Sequence, residues 1–223
     1  MKKICKAISI VCSLCILFGA TSVTAAAATP SLNEQTIVMN ETQMCTVEEA
    51  IAKINFAEEL RDAENGLIDK NVSDMVLQGI DLSGSVDEDI SYSVKNLGKV
   101  VESGEEKGTL YSLTAVSGTL KNTGNTHDED NVHCYATVIW MDNFGLKNEL
   151  ISVQGGWITE RTLYDRTVYY GVDNNTVTTN PTSNKFSYDN LGMIGAQIHV
   201  ATTVRSKGYN PVIMLTLSPT FLD

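Results

Sequence analysis

Val132-His133-Cys134-Tyr135-Ala136-Thr137-Val138-Ile139-Trp140-Met141 is the stretch on which the fold turns. Val132, Cys134, Ala136, Val138 and Trp140 recur at every second position, so an extended chain puts all five on one side. Asp142-Asn143-Phe144-Gly145 follows, and a glycine in the left-handed region closes a hairpin loop there. Glu149–Thr159 then reads as the returning strand. A strand with one apolar side needs a second layer to cover it, which puts Cys134 in a core between layers.

Met193–Val204 alternates in the same way. Ile194, Ala196, Ile198, Val200 and Val204 share one side, while Gln197, His199 and Thr203 share the other. Met75–Leu82, Ile90–Val94, Thr109–Leu120, Thr167–Val172 and Val212–Leu217 are further runs rich in Val, Ile, Thr and Tyr, set between Gly, Asn, Asp and Ser clusters. Eight or so strands, each with one buried side, predict a mainly β chain. The expected architecture over 71–223 is an antiparallel β-sandwich, or a barrel-like closure of the same strands. Val172–Asn190 is polar and carries Pro181, which obstructs a ladder; it reads as a long surface loop or an edge hairpin.

The sandwich is preceded by one amphipathic α-helix within residues 45–70. Thr46-Val47-Glu48-Glu49 is a capping box, in which the threonine hydroxyl accepts from the backbone and the glutamate reaches back. Val47, Ala50, Ile51, Ile54, Ala57 and Leu60 recur at three- and four-residue steps, and Asn65-Gly66 is a stop. The helix therefore spans Val47–Glu64 and packs on the domain, with Glu58, Glu59, Arg61 and Asp62 on a solvated side. Residues 29–44 lack clear periodicity and read as a flexible N-terminal arm or a first edge strand.

Lys2, Lys3 and Lys6 make a basic start, an apolar run of about 14 residues extends from Ala7 to Ala20, and small residues fill Thr21–Ala28. That order predicts a signal peptide over 1–28 and a secreted, extracellular protein. The run is short of the ~20 residues that span a bilayer, so no stable membrane insertion is expected after cleavage. About 195 residues remain, enough for one domain with a real core. Losing three lysines takes the formal charge from -11 to about -14. Such acidity disfavours nucleic acid, whose phosphates demand cations. Five cysteines fall to two, and in an oxidising compartment Cys45 and Cys134 are a candidate disulfide, or alternatively two buried thiols.

Chemistry-bearing residues are sparse. His127, Asp128, Asp130 and His133 bring carboxylates and imidazoles together in one loop, a composition suited to calcium or zinc, but the spacing matches no fixed calcium loop. A solvated acidic turn has the same composition, and no other cofactor is expected. Acid pairs such as Glu149 with Glu160 or Asp165 would suit glycoside cleavage. Serine has no nucleophile-elbow motif around it. Trp157, Tyr164, Tyr169, Tyr170, Tyr188 and Tyr209 cluster in the C-terminal strands, where aromatic faces stack on sugars or anchor proteins. Tyr164, Tyr170 and Tyr188 are the candidate binding residues, and Trp140 and Trp157 are expected in the core.

Val153-Gln154-Gly155-Gly156-Trp157, followed by Val168-Tyr169-Tyr170-Gly171, resembles small exported β-rich proteins of Gram-positive bacteria that have no assigned function. The resemblance implies secretion or surface association and assigns no residue a role. The reading that results is a secreted, non-enzymatic binding module for an extracellular protein or glycan. A secreted hydrolase with a metal-assisted or carboxylate site is the alternative, and an antibacterial or pore-forming effector the third.

Overall fold

The Val132–Met141 alternation does form a strand, but both of its sides are buried. Cys134, Val138 and Trp140 face a large apolar core, while Ile139 and Met141 meet a second one on the opposite side. The antiparallel two-sheet sandwich is present as expected, and the helices that precede it bury the second side of this strand. The structure is a computed structural model and describes residues 35–40, 43–84, 89–117, 132–206 and 211–218, with side chains from residue 46 onward.

Strands Gln35–Asn40 (β1) and Gln43–Thr46 (β2) lead into helices Val47–Ala52 (α1), Phe56–Glu64 (α2) and Asp74–Gln78 (α3). The strands that follow are Ile80–Gly84 (β3), Ile90–Glu102 (β4), Glu105–Ser117 (β5), His133–Asp142 (β6), Asn148–Ile158 (β7), Tyr164–Val172 (β8), Asn175–Thr179 (β9), Lys185–Tyr188 (β10), Met193–Gly195 (β11), Ile198–Arg205 (β12) and Val212–Leu217 (β13). They pair antiparallel in two sheets. The larger has the order β10-β7-β6-β5-β4-β1-β2, with β11 also on β7; the smaller has the order β3-β13-β12-β8-β9. Between the sheets lie Leu113, Val138 and Val153 from the first and Val168, Val200, Ile213 and Leu215 from the second. The β6–β7 hairpin closes as its sequence requires, with Phe144 at φ 54° and Gly145 at φ 73°. The Asp142 carboxylate accepts from Gly145 N–H at 2.8 Å.

Three sequence expectations are corrected. The single helix Val47–Glu64 is two helices, because the Asn55 side chain accepts from Ala57 N–H at 3.2 Å and starts α2 afresh. Residues 74–78 are helical where a strand was expected, capped by Ser73 and ended at Gly79. Of the two readings of residues 29–44, the edge strand is the one formed where the structure describes them: residues 35–40 and 43–46 make an edge hairpin on β4. Met193–Val204 is two strands in different sheets: β11 pairs with β7 and β12 with β8. The Asp173 carboxylate holds that crossing, accepting from Ala196 N–H at 3.1 Å and Gln197 N–H at 2.9 Å.

The helices cover the outer side of the larger sheet. Val47 and Ala50 of α1 pack on Val100, Leu110, Ile139 and Met141. Phe56, Leu60 and Ala63 of α2 pack on Val116 and Tyr135, with the Phe56 and Tyr135 rings 4.9 Å apart. The side of α2 expected to be solvated is buried in part: Glu59 is 4% and Asp62 8% exposed. Both face Lys95 of β4, whose Nζ lies 2.7 Å from Glu59 Oε1 and 2.8 Å from Asp62 Oδ2. Thr114 donates to Glu59 Oε2 at 3.4 Å and lies 2.9 Å from the Thr137 hydroxyl. The apolar period of α2 gave no sign that the sheet beneath it carries a cation.

This network makes stability depend on pH. The hydrogen bond from Lys95 holds the Asp62 carboxyl below its ordinary 3.8, outweighing the opposing effect of burial. Burial works against the Lys95 ammonium, but hydrogen bonds to Asp62 and Glu59 outweigh it and raise it above 10.5. Asp62 therefore stabilises the fold above pH 3.8 and loses that contribution as the pH falls through its lowered folded value; Lys95 contributes below pH 10.5 and loses it above its raised one. Asp62→Asn is expected to cost about 1.5–3 kcal/mol at pH 7. In urea melts the gap to the parent should narrow toward pH 3; a gap independent of pH would contradict the assignment.

Candidate functional site

Among the described residues, those singled out in the sequence do not converge. His127, Asp128 and Asp130 lie outside the described residues, as does Tyr209. His133 is half-buried with Nδ1 3.1 Å from the Ser117 carbonyl, which can only accept, so Nδ1 carries the proton. Among the described residues, no three of His, Cys, Asp and Glu gather as a metal would need. No helix among them is long and apolar enough to cross a membrane.

The tyrosines divide. Tyr170 is 7% exposed and stacks on Tyr188 at 4.9 Å; Tyr188 in turn stacks on Phe186 at 5.7 Å. Both belong to the inter-sheet core and its lining, so they are corrected from binding residues to packing residues. Trp140 and Trp157 are buried at 3%, as expected. Tyr164 is 47% exposed.

Strand order also separates the candidate disulfide. Cys45 sits on β2, four positions across the sheet from Cys134 on β6, or about 19 Å at ordinary strand spacing. A disulfide requires α-carbons within about 7 Å. Cys134 is instead packed toward the smaller sheet, with Sγ 2.6 Å from Thr202 Oγ1. Glu149 stands at the start of β7 and Glu160 two residues past its end, with roughly 30 Å of strand between them, far beyond the spacing of glycosidase carboxylates. Burial raises the Glu149 carboxyl, with Glu102 adding repulsion. Asp165 belongs to the other sheet and pairs with Arg205.

A surface that no single segment announced is left open. The larger sheet has its outer side under α1 and α2; among the described residues, no element packs across the outer side of the smaller one. Cross-strand register sorts that side into rows. Thr216, His199, Gly171 and Thr176 make one; Met214, Ala201, Tyr169 and Thr178 the next; Val212 and Thr203 the third, with Thr167 opposite Thr203. His199 Nδ1 lies 3.2 Å from Thr216 Oγ1, Tyr169 is half-buried, and Met214 is 51% exposed.

The third row is the floor of a groove of about 940 Å³, extended by Asn180, which accepts from the Thr167 hydroxyl at 3.1 Å. Arg166, Asp165, Arg205 and Thr182 stand around it. Arg166 directs both Nε and Nη2 at one oxygen, Asn184 Oδ1, at 2.9 and 2.6 Å. Arg205 Nη1 lies 3.6 Å from Asp165 Oδ2, with both side chains about two-thirds exposed. A bulge before Arg205 pairs it with Tyr164, and Asp165 takes φ 50°, so the alternation of β8 breaks at this end of the sheet. The donors and acceptors here are hydroxyls, amides, two guanidinium groups and the Asp165 carboxylate, an inventory suited to a polyhydroxylated ligand. Comparison with known protein families, curated proteins and solved structures finds no match.

Proposed function

We propose that the chain is an exported, non-catalytic binding module that holds saccharide chains against the outer side of its five-stranded sheet. The observation that carries the reading is the asymmetry of the two sheets: helices cover one outer side, and rows of threonine with Tyr169, His199 and the groove occupy the other. Sugar rings present hydroxyl edges and weakly apolar faces. Threonine hydroxyls and amides meet the first, and Tyr164, Tyr169 and the Met214 thioether meet the second. A protein interface of comparable size would instead concentrate large apolar groups at its centre.

Co-sedimentation with isolated cell walls and insoluble polysaccharides tests this. Retention is expected, and Tyr169→Ala and Met214→Ala should each reduce it several-fold with melting temperature little changed. Glu58→Ala on the exposed side of α2 should leave retention alone. Absence of retention on every support, or equal loss from the α2 variant, refutes the assignment.

A further inference from the structure

We infer that the groove at the arginine end of the open sheet is a subsite for the carboxylate of an acidic sugar, a uronic acid being the simplest fit; this rests on the saccharide-binding reading. The argument begins with charge. The chain carries 27 acidic against 16 basic residues, so two arginines beside one aspartate, Asp165, in a single groove run against its overall balance. Arg166 is oriented by a neutral amide, Asn184, and not by a carboxylate. Its direction is therefore fixed, and among the described residues no carboxylate forms an ion pair with it, so Nη1 is still able to donate. A guanidinium whose Nε edge is engaged keeps the donors that point away from it for a ligand.

Arg205 has an acidic neighbour, but the pair is long at 3.6 Å and both side chains are about two-thirds exposed. An exposed pair of that kind is weak, and an incoming carboxylate with better geometry displaces it easily. The remaining groups match the rest of a sugar. Thr203, Asn180 and Thr182 offer hydroxyl and amide contacts along the floor and wall, and exposed Tyr164 stands opposite Arg205 in the ladder, where a pyranose ring can stack. At about 940 Å³ the groove is open and roomy enough for more than one ring, which suits a chain entering from the side.

The test uses three carboxylated polysaccharides, polygalacturonate, alginate and hyaluronate, each beside its carboxyl-reduced counterpart, with the parent protein and three variants. The expected result is tighter binding of at least one carboxylated form than of its reduced partner. Arg205→Gln and Arg166→Gln should lower that affinity about tenfold or more while leaving the reduced polymer unchanged. Asp165→Asn, which removes the competing carboxylate, should raise it about fivefold, a gain that mere damage to the fold cannot produce. Arg205 is well exposed, so its variant keeps the comparison valid if Arg166→Gln perturbs the Asn184 turn. Equal binding of carboxylated and reduced polymers, unmoved by the arginine variants, overturns the subsite and leaves the saccharide reading standing. Binding of neither form, together with no retention on cell walls, overturns both.

Discussion

Lys95→Met is expected to destabilise the fold by about 3–5 kcal/mol, the usual penalty for removing one partner of a buried ion cluster. The substitution keeps the length and apolar stem of the side chain, so the loss is electrostatic. It leaves Glu59 and Asp62, 4% and 8% exposed, facing each other without a cation. Arg61 approaches Asp62 at 3.3 Å from a largely exposed position and compensates only in part. Total stabilities of domains are about 5–15 kcal/mol, so this one change removes a large fraction. Urea melts at pH 7 measure it. The triple variant Lys95→Met, Glu59→Leu, Asp62→Leu should recover most of the loss, because apolar replacements of the whole cluster carry no desolvated charge. Failure of the triple to recover would show that the side chains are needed for their shape and not for their pairing.

Trp157→Ala should cost a similar amount, about 3–5 kcal/mol, through the cavity it opens between the sheets. Trp157 lies on the inner side of β7 at 3% exposure, opposite Cys134 in register and 5.5 Å from the Phe186 ring. Phe186 can approach because Gly155 is its partner in the ladder; a β-carbon there would stand 2.5 Å from Phe186 Cζ. Losing the indole removes support from β10, which hangs on the sheet edge by its pairing to β7. Trp157→Phe should cost much less, since it removes less volume and also deletes a buried indole N–H that finds no acceptor among the described residues. Equal costs for the two variants would contradict cavity formation as the cause.

Local patterns were legible in the sequence and long-range placement was not. The β6 alternation, the Phe144-Gly145 turn and the Thr46–Glu49 capping box each depend on neighbours within a few residues, and each is present. The second buried side of β6 was not visible, because Tyr135, Thr137 and Ile139 look like an ordinary mixed face until α1 and α2 lie over them. Tyr170 and Tyr188 attracted attention as aromatics, yet which side of a strand an aromatic takes depends on register with its partners. The open groove was the least legible feature. Its floor joins Thr167, Asn180, Thr203 and Val212 from separate strands and a flanking turn, and none of these residues is unusual where it stands in the chain. Arg166 and Arg205 read as ordinary charges until the sheet brings them to one rim.

The unequal cover of the two sheets has a consequence for how this chain can evolve. A side chain on β6 touches packed neighbours whichever way it points, so most substitutions there carry a folding cost. Along β12 and β13, every second position, among them His199, Ala201, Thr203 and Met214, lies on an open surface above a core fixed by Val200, Val204, Ile213 and Leu215. Those positions can change with little effect on stability. In a saturation library sorted for folding, β12 should therefore show tolerance at odd-numbered positions and intolerance at even ones, while β6 shows no such alternation. Substitutions on the open side of the smaller sheet then need no compensating changes in the core.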